Sequence, residues 1–221
     1  MEKPDSVAAL TDLGRVRLSE HFFMREMLYS EVANFYGKPN FPEDPDLAIA
    51  AGEKLCQLVL EPLRRGFGHI TVRSAYRSPS LNHFCNERYK DGDTACFCGT
   101  NEYNRARHIW DLRDADGFMG ATASVVIPAY LDHFQRTGDC MPLAWWIRDN
   151  VEDYAELAFY PWQCAFNIRW YEGPSEKPIT RWTTEGTEVL ARRDMANFAG
   201  DHRALYEDAL RRDPGLSTAA P

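Results

Sequence analysis

No stretch of the 221 residues approaches the roughly 20 consecutive apolar residues that a membrane-spanning helix needs, so a helical membrane protein is excluded as a reading. The chain also lacks a basic excess: 25 Lys and Arg stand against 33 Asp and Glu, a formal net charge of −8. Broad electrostatic attraction to nucleic acid or to anionic membranes is therefore not expected, and an anionic ligand would have to be held by a local site. There is no internal repeat or low-complexity tract, which argues against a solenoid or a linker-joined array. The opening MEKPDSVAAL has no basic region followed by an apolar stretch, so the expected compartment is the cytoplasm, with the six cysteines as free thiols. Cys96-Phe97-Cys98 near His108 offers half of a metal site, but no second pair stands at ligand spacing.

What is present is the composition of a globular chain, 44% hydrophobic and 13% aromatic, long enough for one medium domain. Leu47, Ile49, Ala51, Leu55, Leu58, Val59 and Leu63 form a helix-like stripe over Asp46–Arg65, which Pro62 is expected to kink or end. Residues His69–Ala75 alternate as a strand, Tyr76-Arg77-Ser78-Pro79 reads as a turn, and the polar stretch Asn82–Arg107 as a long ordered loop. An apolar run at Ala123–Ile127 follows, then helices opened by Pro128 and Pro142, then strands at Glu156–Tyr160 and Ala165–Trp170. Asp201 is placed to cap a helix through Arg212, and the last residues, DPGLSTAAP, are expected to fray. The fold class expected is α+β, a small, mostly antiparallel sheet with flanking helices.

Three phrases, LSEHFFMREMLYSEVA, LEPLRRGFG and ITVRSAYRSPSLN, follow one another in an order that resembles the zinc D-alanyl-D-alanine peptidases of the M15 type. The resemblance covers about residues 17–82 and continues more weakly to about 171. It implies a Hedgehog/DD-peptidase fold, with an N-terminal arm over 1–16, the M15-like domain over 17–182 and a C-terminal helical extension over 183–221. It also implies that Arg77 faces the cleft, with Ser78 and Asn82 in the same turn. A catalytic zinc takes three protein ligands and an open water position. The His of the expected region is His108, and its carboxylate partner is Asp111, Asp114 or Asp116. The family spacing would fall on Ala115; Asp116 lies one residue beyond, a gap that a bulge absorbs, and is preferred.

The second half of such a site lies on two late strands. Aligned by pattern, Tyr160 stands where the general-base Glu belongs and Asn167 where the third ligand, a His, belongs. Tyrosine is a poor base at neutral pH, and an amide oxygen is a weak zinc ligand beside imidazole. Glu156, four residues before Tyr160, faces the same side of a strand and is the alternative carboxylate. His133 reads as a helix residue, and His83 as a residue near the turn. The aromatic group Trp145, Trp146, Phe159, Tyr160, Trp162, Phe166, Trp170 and Tyr171 reads first as core, but beside Arg77 it also supplies stacking surfaces for a flat ring.

The expected function is therefore a peptidase-like cleft that binds a small anionic molecule, a nucleotide-like signal or a peptidoglycan fragment, and holds it without hydrolysis. The ligand set would be Arg77, Ser78, Asn82, His108, Tyr160, Asn167 and Trp170, with no bound cofactor. The alternative is an active zinc peptidase in which His108 and Asp116 hold the metal and Glu156 or Tyr160 serves the chemistry.

Overall fold

The computed structural model describes residues 1–211 and has a mixed α+β architecture, an open six-stranded sheet with flanking helices. The chain runs α1 (Val7–Gly14), α2 (Met24–Met27), α3 (Glu31–Tyr36), α4 (Pro45–Leu55), a π turn (Cys56–Leu60), α5 (Glu61–Phe67), β1 (Thr71–Ser74) and α6 (Pro79–Lys90). A 3₁₀ turn (Thr94–Cys96), α7 (Asn101–Asn104), β2 (Gly120–Val126), α8 (Pro128–Thr137), α9 (Met141–Asn150), β3 (Glu156–Phe159) and β4 (Phe166–Tyr171) follow. The described chain ends in a hairpin, β5 (Ile179–Thr183) and β6 (Gly186–Ala191), and α10 (Arg203–Arg211).

The sheet order is β1-β2-β4-β3-β5-β6, and every neighbouring pair is antiparallel except β3 with β5. The alternation of β4 decides what the sheet can do. Phe166, Ile168 and Trp170 point into the main core, opposite Val125, Ala123 and Ala121 of β2, while Asn167, Arg169 and Tyr171 are half-exposed on the other face. On that second face Ser124 is paired with Asn167, and Thr122 with Arg169.

α4 starts where Asp44 accepts the Leu47 N–H at 3.1 Å and Pro45 occupies the first turn, and it buries Ala48, Ala51, Gly52 and Leu55 at helical spacing. Pro62 does not end this helix. The π turn just ahead of it widens the backbone where the proline ring would meet a preceding carbonyl, and the helix continues as α5 to Phe67.

The stretch after Arg77 is not a loop throughout: α6 occupies its first part. Ser78 Oγ accepts the Leu81 N–H at 3.2 Å, Pro79 opens the first turn, and Leu81, Asn82, Cys85 and Asn86 form the buried stripe. Two members of that stripe are asparagines whose amides are satisfied inside, Asn82 by Gly99 and Asn101, Asn86 by the Cys98 carbonyl. A polar composition thus conceals a buried helix face. Asp201 accepts the Arg203 N–H at 2.9 Å at the start of α10, while the expected fraying segment and Arg212 lie outside the described residues.

At the N terminus Leu13 of α1 sits in the main core, and the expected boundary between 182 and 183 falls within β5. No helix among the described residues is long and apolar enough to cross a membrane.

Candidate functional site: an arginine-lined cleft on the sheet

The half-exposed face of β4 forms one wall of a cleft. The opposite wall is the segment Arg105–Asp111, laid across the sheet so closely that a Cβ on Gly120 would lie 2.2 Å from the Ala106 carbonyl oxygen. Gly120 is therefore required by this approach. The crossing is pinned by the Thr122 N–H to the Arg107 carbonyl at 2.9 Å, by Arg169 Nε to the Ala106 carbonyl at 3.0 Å and by the Arg77 N–H to the His108 carbonyl at 2.8 Å. It delivers Arg107 and His108 to the space above Thr122, Asn167 and Arg169.

The cleft has a small inner chamber of about 100 Å³ and an outer one of about 510 Å³ that opens to solvent, the outer one within the size range of small-molecule sites. Arg107, Arg169, Glu156, Thr122 and Asn104 belong to the inner end, with the exposed Tyr103 at its rim. Arg73, Ser124, Glu31 and Trp162 belong to the mouth. Arg77, Phe97, His108, Tyr160, Asn167 and Trp182 line both chambers and form the waist.

In a chain of net charge −8, this concentration of guanidinium groups is a local inversion. Arg107 and Arg169 share Glu156: Arg107 Nη1 donates to Glu156 Oε2, and Arg169 Nη1 lies 3.9 Å from the same oxygen. Burial, with Arg107 alongside, lowers the Arg169 pKa to about 10, still charged at neutral pH. Arg77 has no carboxylate within ion-pair distance among the described residues; its Nη1 donates to Asn82 Oδ1 at 3.3 Å. Asn82 is in turn anchored through Nδ2 to the Gly99 carbonyl at 3.1 Å and to Asn101 Oδ1 at 2.8 Å.

His108 is buried, with Nδ1 2.8 Å from the Ala75 carbonyl oxygen. A carbonyl only accepts, so Nδ1 carries the hydrogen and Nε2 is left as an acceptor. Burial, and then the nearby Arg77, push the His108 pKa down to about 3, so the ring is neutral at physiological pH. Burial raises Tyr160 above its ordinary value against the opposing pull of Arg77 and Arg73, which keeps it a protonated phenol rather than a base. Two further polar atoms of this wall, Thr122 Oγ1 and Asn167 Oδ1, are buried and find no partner among the described residues. Each such atom costs about 1–3 kcal/mol unless something pairs with it.

Aromatic rings frame the waist and mouth. Trp182 meets Tyr160 edge-on at 4.9 Å and Phe97 at 4.7 Å, while Trp162 lies nearly parallel to Tyr160 at 5.4 Å. Phe97 and Trp162 are each about half exposed, 48% and 49%, leaving ring faces open to a ligand.

Of the residues expected from sequence, Arg77, His108, Tyr160, Asn167 and Glu156 are brought together in this cleft. Ser78 and Asn82 act one step behind it, Ser78 as the cap of α6 and Asn82 as the prop of Arg77. Trp170 is a correction: the two-residue period of β4 turns it into the core, away from Asn167. Among the other aromatics, Trp145 stacks on His202, Trp146 packs on Phe67, and Phe159 packs on Phe166. His133 is buried on α8 and His83 is exposed on α6, neither in the cleft. Arg107, Arg169, Thr122, Phe97 and Trp182 were not anticipated as site residues. The signal for Arg169 was available, since it stands two residues from Asn167 on one strand.

The expected pairing of His108 with Asp116 does not form. Asp116 is exposed on a turn built around Asp114, whose Oδ1 accepts the Asp116 and Phe118 N–H groups, and Asp111 is turned away to accept the Glu43 N–H at 2.8 Å. Around His108 stand an amide, a phenol and a guanidinium, a donor set that does not fit zinc, and among the described residues no group of three His, Cys, Asp or Glu could hold a metal ion. The six cysteines are free and buried; Cys85, Cys96 and Cys98 pack in a small apolar cluster with Leu81 and Ala33. No protein-family model matches the chain, and neither a curated protein nor a solved structure matches it.

Proposed function

We propose that this chain is a binding protein on an M15 peptidase-like scaffold, whose cleft holds, and by holding sequesters, a small planar anion without hydrolysing it. The observation that carries the reading is the charge of the cleft: Arg77, Arg107, Arg169 and Arg73 line it, and among the described residues only Glu156 and Glu31 line it as carboxylates. Arg77, positioned by Asn82 and without a carboxylate partner among the described residues, is the main anion-holding group, and a fork held in place loses little entropy on binding. Trp182, Trp162 and Phe97 offer the ring faces against which a flat ligand stacks. Hydrolysis is not supported, because the base position is a phenol with a raised pKa and Glu156 is engaged by Arg107 and Arg169.

The test pairs binding with turnover. The purified chain should bind 1-naphthyl phosphate, a minimal ring with a dianion, and should release no D-alanine from a D-alanyl-D-alanine stem peptide with or without added zinc. Zinc-dependent release at a rate that His108→Ala abolishes would replace this reading with the zinc peptidase.

A further inference from the structure

Resting on that reading of the cleft, the unpartnered acceptors narrow the class of ligand. Thr122 Oγ1, in a side chain of a residue only 5% exposed, and Asn167 Oδ1 have no partner among the described residues, and both residues line the inner chamber. His108 adds Nε2, fixed as an acceptor because Nδ1 is committed to the Ala75 carbonyl. The three lie on one wall: Thr122 and Asn167 are diagonal neighbours on adjacent strands, two register positions apart on the same face, and Arg107, which precedes His108, is tied through its carbonyl to the Thr122 N–H.

Their position along the cleft is equally defined. His108 and Asn167 line both chambers, between the aromatic mouth at Trp162 and the inner guanidinium groups of Arg107 and Arg169, and Thr122 lies on the inner side. Acceptors buried without a partner in the wall of a cleft are satisfied when a ligand packs hydroxyl or N–H donors against that wall, and a site built this way rejects an analogue lacking them.

We infer that the cleft takes a nucleoside monophosphate, with the base stacked at the mouth and one of its N–H groups donating to His108 Nε2, the two sugar hydroxyls donating one to Asn167 Oδ1 at the waist and one to Thr122 Oγ1 on the inner side, and the phosphate held by Arg77 and the inner arginines. A ring and an anion alone would satisfy the tryptophans and arginines but leave the acceptors unpaired.

Calorimetric titration of the native chain tests this with the four common nucleoside 5′-monophosphates, their 2′,3′-dideoxy counterparts and 1-naphthyl phosphate. At least one nucleotide should bind about tenfold or more tightly than its dideoxy form and than 1-naphthyl phosphate. Thr122→Val, nearly isosteric, should shrink the nucleotide-to-dideoxy ratio. Equal binding of nucleotides, dideoxynucleotides and 1-naphthyl phosphate by the native chain would overturn the donor-reading inference while leaving the planar-anion reading standing. No binding by any probe, 1-naphthyl phosphate included, would overturn both.

Discussion

Arg77 donates from Nη1 to the Asn82 side-chain oxygen across one turn, at 3.3 Å, and Asn82 is itself fully buried and tied to Gly99 and Asn101. The guanidinium is thus aimed by a neutral amide, which leaves its charge available to a ligand. Replacing that amide with a carboxylate should convert the aim into a trap. Asn82→Asp is expected to lower affinity for 1-naphthyl phosphate at least about fivefold, because Arg77 gains a charged partner at close range. Calorimetry alongside a melting curve checks it; a variant that stays folded and binds as before would show that Asn82 does not set the position of Arg77.

Glu156 plays the opposite part, an acid shared by Arg107 and Arg169 at the inner end. Glu156→Gln frees both cations while keeping the shape, and is expected to raise anion affinity roughly three- to tenfold at low salt, with a steeper loss as salt is added. A fall in affinity would mean that Glu156 itself contacts the ligand.

His108 gives a pH signature. Its folded pKa, about 3, lies below the ordinary 6.5, so between those values the unfolded chain holds a proton that the folded chain does not. Stability should therefore fall as pH drops from about 6.5 toward 3, by at most about 1.4 kcal/mol per pH unit from this residue. Glu61 adds loss of the same sign in acid. Burial alone would raise its pKa, but Ser19 Oγ, the His21 ring and the His21 N–H together hold it below the usual range, so its contribution is present above the unfolded value and lost as pH falls through the folded one. Denaturant titrations of the native chain and His108→Gln separate the two. An identical slope between pH 5 and 6.5 in both proteins would mean that His108 titrates normally.

The hairpin β5–β6 supplies Trp182 to the cleft and Ile179 and Ala191 to the core. A chain ending at residue 182 loses β6, the partner of β5, and with α10 it loses Tyr206 and Leu210, which are buried in the same core. Its melting temperature is expected to fall by several degrees or more, or the cooperative transition to disappear. A truncated chain that melts like the full one would show the hairpin to be an appendage.

The sequence carried the central strands well. β-branched alternation marks β1, prolines mark the starts of α8 and α9, and the phrases AELAFY and AFNIRW fall on β3 and β4. Two features were hidden for physical reasons. α6 buries asparagines, so its inner face reads as polar. β5 and β6 form the edge of the sheet, where few residues are buried and the alternation that marks a half-buried strand is faint. The site was legible where one strand or turn contributes it, as with Arg77, Tyr160 and Asn167. It was not legible where a distant segment crosses the sheet, because the approach of Ala106 to Gly120, which brings in Arg107, is a tertiary contact.

The most direct measurement is calorimetric titration of the folded chain with 1-naphthyl phosphate, beside Arg77→Ala and Arg77→Lys, each with its melting curve. Saturable one-to-one binding is expected for the native chain, at least about tenfold weaker for Arg77→Ala and only partly restored by Arg77→Lys, since an ammonium keeps the charge without the paired donors. Unchanged affinity in an Arg77→Ala protein that melts normally would contradict the assignment of the cleft as an anion-binding site centred on Arg77.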